Sequence, residues 1–204
     1  MERKTQSGYL MLADISGYTS FIAKTEIEHA EIALSILLEV IVEQLSSCLI
    51  ISKLEGDAVF CYCTADKLPK DKSLLELIDN TYLMFRDKAQ DLWINATCDC
   101  KACKAIPTLD LKFMVHYGDF IIQQVAGIKD LLGTDVNLIH RLAKNRVVES
   151  TGWQGYALFT QQGLEHTQTE KKAFVQQTES YEHLGEVETY VMDMHSRYTA
   201  LKAS

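Results

Sequence analysis

The chain has 204 residues, 47% of them hydrophobic and 24% charged, which is the make-up of a globule with enough apolar material for one sizeable core. Its 20 Lys and Arg against 28 Asp and Glu give a net charge of −8, which excludes broad binding to nucleic acid or anionic membrane, functions that basic surfaces drive. No run reaches the roughly 18 apolar residues of a membrane span, because Glu39 and Glu43 interrupt the longest one.

The first six residues, Met-Glu-Arg-Lys-Thr-Gln, lack the apolar core of a secretory signal, so a cytoplasmic location with reduced cysteines is expected. Gly8–Asp14 is an apolar run of strand length that ends in an acid. A turn, Ile15–Thr19, and a short helical turn, Ser20–Ala23, follow. From about Glu26 to Leu45, the residues Ile27, Ala30, Leu34, Leu37, Leu38, Ile41 and Leu45 recur at three- and four-residue spacing, which predicts a long helix with one apolar face. Leu49–Lys53 and Ala58–Cys63 flank Gly56 as the arms of a hairpin, with Lys53, Glu55 and Asp57 at its mouth.

Asp66–Lys72 is a charged loop with Pro69, and Ser73-Leu-Leu-Glu76 is a capping box that opens a second helix running to about Trp93. Residues 94–108 break the pattern. Leu109–His116 predicts a strand, which Gly118 turns into Phe120–Val125. Val136–Lys144 predicts a helix with Asp135 as its N-cap. Tyr156–Thr160 predicts a strand, Gln161–Ser180 a short helix and polar loop, and Thr189–Met194 a closing strand.

The order β-α-β-β-α-β, with strands and a helix appended, is that of a ferredoxin-like α+β fold: a mostly antiparallel sheet with helices over one face, in a single domain over residues 1–204. In that topology the end of the first strand meets the start of the third, so Asp14 and Asp57 come together. Two close carboxylates repel unless a cation lies between them. Oxygen ligands suit Mg²⁺ or Mn²⁺, and the nearby Lys53 points to a phosphate-bearing substrate. Plainer roles exist for the same residues: Asp14 as the cap of the turn after it, and Glu55 as an ordinary turn residue.

At this point the residues resemble a known family. Ala13-Asp14-Ile-Ser-Gly-Tyr-Thr looks like the first metal-binding motif of class III nucleotidyl (adenylate/guanylate) cyclases, and Lys53-Leu-Glu-Gly-Asp57 like the second. His116-Tyr-Gly fits the turn after that family's fourth strand, and Asp130 to Arg141 fits its final catalytic segment. The resemblance covers roughly residues 8–194. It implies that Asp14 and Asp57 hold two Mg²⁺ or Mn²⁺ ions and that Lys53 and Asp130 read a purine, with adenine favoured. It also implies that Asn137 orients the ribose and Arg141 stabilises charge on the transferred phosphoryl group. The implied activity is conversion of a nucleoside triphosphate to a 3′,5′-cyclic monophosphate and pyrophosphate, a phosphorus–oxygen lyase reaction, in a signalling homodimer with shared sites. Asn137 and Arg141, four residues apart, have a plainer role as a pair on an exposed helix face.

One position departs from the family. A lysine that meets the triphosphate usually precedes the Gly of the last hairpin; here Leu184 precedes Gly185, with Glu186 and Glu188 close by. Lys144 and Arg146 are the candidate replacements. A catalytically impaired homologue, acting as a nucleotide-binding or protein-interaction module, is therefore the alternative, and another phosphoryl-transfer enzyme on the same sheet a third reading.

Cys98-Asp-Cys100-Lys-Ala-Cys103 places three thiols in six residues, which suggests a thiolate site for structural Zn²⁺ within a Cys-rich insert of about residues 95–107, a feature also resembling one group of cyclase-like proteins. Unliganded or redox-active thiols are the alternative. Zinc wants a fourth ligand. Cys61 and Cys63 are expected at the far end of the third strand, which leaves Cys48, a histidine or a dimer partner.

Overall fold

The computed structural model describes residues 4–67, 73–167 and 169–203. The first strand, β1 (Gln6–Ser16), runs two residues beyond the apolar stretch at each end and leads into α1 (Tyr18–Lys24). Alternate residues of β1 feed two cores, Tyr9, Met11, Ala13 and Ile15 on one face and Leu10 and Leu12 on the other. That is why the strand reads as continuously apolar rather than alternating.

The long helix α2 (Ile27–Ser46) follows the expected stripe and buries Ala30, Leu34, Leu37, Ile41 and Leu45. The hairpin consists of β2 (Ile50–Glu55) and β3 (Ala58–Thr64), turned at Gly56 with its positive φ of 69°. The second helix, α3 (Leu74–Ile94), starts at the Ser73–Glu76 capping box. Of the charged loop Asp66–Lys72, residues 68–72, and with them Pro69, lie outside the described residues.

The pattern-breaking segment forms a short helix, α4 (Lys101–Ala105), and a 3-10 turn, Ile106–Thr108. Gly118 does not turn the chain: Asp110–Val125 is one long strand, β4. Its first half pairs with β1 and its second half with β5 (Ile128–Leu132). The turn instead falls at Ala126 and Gly127, both with positive φ, as a two-residue hairpin of right-handed twist requires.

Helix α5 (Thr134–Leu142) starts two residues earlier than predicted, with Gly133 and not Asp135 at its N-cap position. A short helix, α6 (Val147–Thr151), precedes β6 (Tyr156–Thr160) and α7 (Gln161–His166). The polar stretch expected to be loop holds an edge strand, β7 (Val175–Tyr181), which pairs with β8 (Gly185–Asp193) before α8 (Met194–Lys202) closes the described chain.

The sheet order is β2-β3-β1-β4-β6-β8-β7, with β5 on the side of β4. The order β2-β3-β1-β4 is that of the βαββαβ core, and the mixed α+β class expected from the element order holds. Pairing is antiparallel except between β4 and β6. Helices α2 and α3 cover one face. The other face is not left bare, since Val136, Leu138, Ile139 and Leu142 of α5 pack on Leu10, Leu12, Phe60 and Met114. No helix among the described residues is long and apolar enough to cross a membrane.

Candidate active site and thiol cluster

Register alone determines where Asp14 and Asp57 meet. Asp14 pairs with Ala58 across β1 and β3, and the Ile15 N–H donates to the Asp57 carbonyl at 3.2 Å. The Asp57 carboxyl is half-buried against Asp14 and pushed up to about 6, by burial first and then by the charge and hydrogen bond of Asp14. Lys112, opposite Asp14 on β4, pulls the other way; its Nζ lies 3.3 Å from Asp14 Oδ2. Asp14 does not cap α1, whose N-cap position is Gly17 without a side-chain bond.

A second pair forms at the hairpin mouth. Lys53 Nζ lies 3.4 Å from Asp130 Oδ1 on β5 and 3.2 Å from Glu55 Oε1. Burial would lower the Lys53 ammonium, but these two acids hold it above its ordinary value. Glu55 is more than a turn residue, because its Oε2 also lies 3.2 Å from His140 Nδ1 on α5. The His140 ring leans on Phe60 at 4.7 Å between centroids, and burial depresses its pKa.

Asn137 and Arg141 are exposed on α5 and make no side-chain hydrogen bond or ion pair, with each other or with any other described residue. Beyond the apolar packing of α5, Asp135 ties its first turn to β4. Its Oδ2 accepts from the Asp119 N–H at 2.6 Å, and its Oδ1 lies 3.3 Å from His116 Nε2. His116 is buried, bonded through Nδ1 to Thr160 Oγ1 at 2.8 Å, and burial lowers its pKa against the pull of Asp135. Gly118 fits here because a Cβ would overlap the Asp135 carboxylate.

The structure thus joins Asp14 to Asp57 and Lys53 to Asp130. No hydrogen bond or ion pair connects the two pairs, or either pair to Asn137 or Arg141. The hairpin arms carry exposed apolar side chains beside the Lys53 pair: Leu54 on β2, and Val125, Ile128 and Leu132 on the β4–β5 arm. At the last hairpin, Leu184 is half-buried against the same core as Tyr181 and Val187, and its N–H donates to the Tyr181 carbonyl at 3.2 Å. Of the two candidate replacements for the missing lysine, Arg146 is engaged: its Nη2 donates to the Thr178 carbonyl at 3.3 Å and its Nε lies 3.8 Å from buried Glu179. Lys144 is exposed.

The cysteine segment makes its own cluster. Cys98, Cys100, Cys103 and His29 Nδ1 lie within 4.8 Å of one another. His29 comes from the first turn of α2, 69 residues before Cys98, and stands where a fourth ligand, which spacing could not identify, would be needed. Cys61 and Cys63 are buried in β3 away from it, and Cys48 is not a member. Lys112, His140 and His29 were all missed by sequence reasoning. The first follows from register once β1 and β4 are paired, whereas the two histidines leave no linear signal.

A family model described as "Protein of unknown function (DUF2652)" matches residues 34–151, a span that includes Lys53, Asp57, the three clustered cysteines, Asp130, Asn137 and Arg141. The uncharacterized protein Rv2561/Rv2562 of Mycobacterium tuberculosis is 31% identical over 150 residues, 71% of this chain and 66% of that protein. Among solved structures, the guanylyl cyclase Cya2 is similar with a TM-score of 0.73 and 15% identity over 94% of this chain and 93% of that one. The adenylyl cyclase CyaB from P. aeruginosa gives 0.69 and 15% over 95% and 97%. A bacterial light-regulated adenylyl cyclase gives 0.70 and 16% over 98% of this chain, which spans only 56% of that one. At these identities the likeness to the cyclases shows the fold: this chain is folded as a class III cyclase domain.

Proposed function

The chain belongs to the DUF2652 family, and we propose that this member is a nucleotidyl cyclase that converts a nucleoside triphosphate, ATP before GTP, to its 3′,5′-cyclic monophosphate and pyrophosphate. The observation that carries this reading is the contact between the Asp14 and Asp57 carboxylates. Two acids held together at the end of a buried strand, one of them with a raised pKa, are a costly arrangement that a hard divalent cation relieves. All-oxygen donors fit Mg²⁺ or Mn²⁺, which when bound, two per site, would activate the ribose 3′-oxygen and neutralise the phosphates.

The chain's own residues supply the rest. Lys53 donates to a ring nitrogen of the base, and Asp130 accepts from its exocyclic amine, a pattern that matches adenine; their 3.4 Å pairing supports a shared reading role. Asn137 holds the ribose, and Arg141 stabilises charge on the phosphorus as the 3′-oxygen attacks and pyrophosphate leaves. That Asn137 and Arg141 have no hydrogen-bond or ion-pair partner among the described residues supports a role toward a ligand. The resemblance to the cyclases implies a head-to-tail homodimer with shared sites, and the lack of a hydrogen bond or ion pair between the two pairs among the described residues is compatible with it. Exposed Leu54, Val125, Ile128 and Leu132 are apolar surface suited to that interface.

The second reading is a nucleotide-binding or interaction module without turnover. It is favoured by Leu184, which packs against the core where the family's lysine is expected, and by acidic Glu186 and Glu188 on β8. Incubation with Mn²⁺ and each of the four ribonucleoside triphosphates, followed by mass-spectrometric detection of cyclic monophosphate, separates the two. Product that vanishes in Asp57→Ala supports the cyclase. Nucleotide binding without product supports the module and ends the first reading.

A further inference from the structure

We propose that Cys98, Cys100, Cys103 and His29 bind one Zn²⁺ ion, and that this ion staples the start of α2 to the segment leading into β4. The site is separate from the Asp14–Asp57 carboxylates and does not depend on the cyclase reading.

The geometry supports a tetrahedral ion. Cys98 Sγ lies 3.2 Å from Cys100 Sγ, from Cys103 Sγ and from His29 Nδ1. His29 Nδ1 lies 3.2 Å from Cys100 Sγ and 4.0 Å from Cys103 Sγ. With Zn–S near 2.3 Å and Zn–N near 2.0–2.1 Å, tetrahedral donors would sit roughly 3.5–3.8 Å from one another, so shifts of about half an ångström would bring all four into bonding range of one ion. The separations are too long for any pair to be a disulfide, and three sulfurs crowded about one imidazole nitrogen have no reason to cluster as neutral thiols. Soft thiolates with one imidazole select zinc over Mg²⁺ or Ca²⁺, and three sulfurs and a nitrogen depart from the four thiolates usual for iron–sulfur clusters.

The surroundings are also arranged for it. The Cys103 N–H donates to Cys100 Sγ at 3.3 Å, and the Ala102 N–H donates to Glu26 Oε2 at 3.1 Å, so backbone bonds orient the ligand loop toward α2. With four protein ligands the shell is closed, which marks a structural ion and not a hydrolytic one. Its place in the fold says what it holds. Helix α4 packs on α1 and α2, and Gly17, directly before α1, closes on the Thr108 carbonyl so tightly that a Cβ would come within 3.2 Å of it. The ion therefore fixes the segment on which the turn after Asp14 rests.

The test uses the full chain, purified under reducing conditions without chelator. About one zinc per chain is expected by plasma emission, with Co²⁺ replacing it to give tetrahedral d–d bands and sulfur-to-cobalt charge transfer. His29→Ala should lower retained zinc to below about a fifth of an equivalent, while His29→Cys restores it. Chelation should lower the melting temperature of the unmodified chain without abolishing its far-UV dichroism. Should the variants fail to fold, the cobalt spectrum of the unmodified chain decides alone. Absence of zinc and cobalt uptake by the reduced protein overturns the proposal, and so does a His29→Ala protein that keeps a full equivalent with an unchanged cobalt spectrum.

Discussion

Lys112 faces Asp14 across the β1–β4 pairing with its ammonium 3.3 Å from the carboxylate, and so places a fixed cation beside the acid pair. That cation lowers the pKa of Asp57, against burial and Asp14, which raise it. Lys112→Met removes the opposing charge and should move the Asp57 titration above about 6. Divalent binding needs the ionised form, so the acid limb of Mn²⁺ binding against pH should shift upward, by about half a unit. Calorimetric titration with Mn²⁺ between pH 5 and 8 reads this directly, and a limb that stays in place removes Lys112 from the site's electrostatics.

The raised Asp57 also has a stability cost of known sign. Its folded pKa of about 6 lies above the ordinary 3.8, so the protonated form favours folding. That contribution is full below about 4 and lost as pH climbs through 6. At pH 7.5, with no divalent ion, Asp57→Asn should therefore stabilise the protein. Because the group is half-exposed, the gain is about 1 kcal/mol rather than the full value of the shift, and it should vanish at pH 4. Urea unfolding at both pH values measures it. Added Mn²⁺ should stabilise the parent chain and not the variant; equal destabilisation at both pH values contradicts the electrostatic account.

The pairing of Asp14 with Asp57 was legible because strand register is coded locally: an apolar run, a hairpin and the element order between them place both acids before any coordinate is known. Pairing of Lys53 with Asp130 was implied only by resemblance, since β5 was not visible as a strand. Ile128–Leu132 is largely exposed and gains its partner solely from the second half of β4, so its pattern carries no burial signal. Gly118 misled for the opposite reason. Its lack of a Cβ serves a close approach to Asp135, not a turn, and the same mistaken turn hid the full length of β4. The place of His29 beside the three thiols was invisible because it belongs to a helix whose apolar stripe says nothing about its exposed face.

Gly118 gives a prediction about how α5 is held. A methyl at this position collides with the Asp135 carboxylate, which accepts from the Asp119 N–H and faces His116. Gly118→Ala should cost about 1–3 kcal/mol by overpacking and displace the first turn of α5, and with it Asn137. The double variant Gly118→Ala with Asp135→Ala relieves the overlap and should recover part of that loss. If the double variant is merely the sum of the two singles, the close approach is not the cause.

The last helix is anchored by charge. Arg197 on α8 grips Asp79 on α3 through both Nε and Nη2, and Asp79 is a buried carboxylate. Arg197→Ala leaves that charge without its partner and should destabilise by roughly 2–4 kcal/mol, whereas replacing both residues by leucine should recover most of it. Denaturant midpoints of the two variants decide the point.

Leu184 offers the sharpest contrast between the two functional readings. It sits half-buried at the β7–β8 turn beside Tyr181 and Val187, after His183, which adopts a positive φ of 68°. A lysine there can lay its methylene stem over the same apolar patch and lift its ammonium into solvent, so Leu184→Lys should cost no more than about 1 kcal/mol. If the last hairpin meets the triphosphate, the added cation should tighten ATP binding by about five- to tenfold, an effect that weakens as salt rises. Product formation should rise with it if the cyclase reading holds. Equilibrium binding of ATP at low and high salt, alongside the melting temperature, separates a gain at the phosphates from a change in fold. Unchanged affinity at low salt in a folded variant would place the triphosphate elsewhere and leave Lys144, exposed just past α5, as the cation to test next.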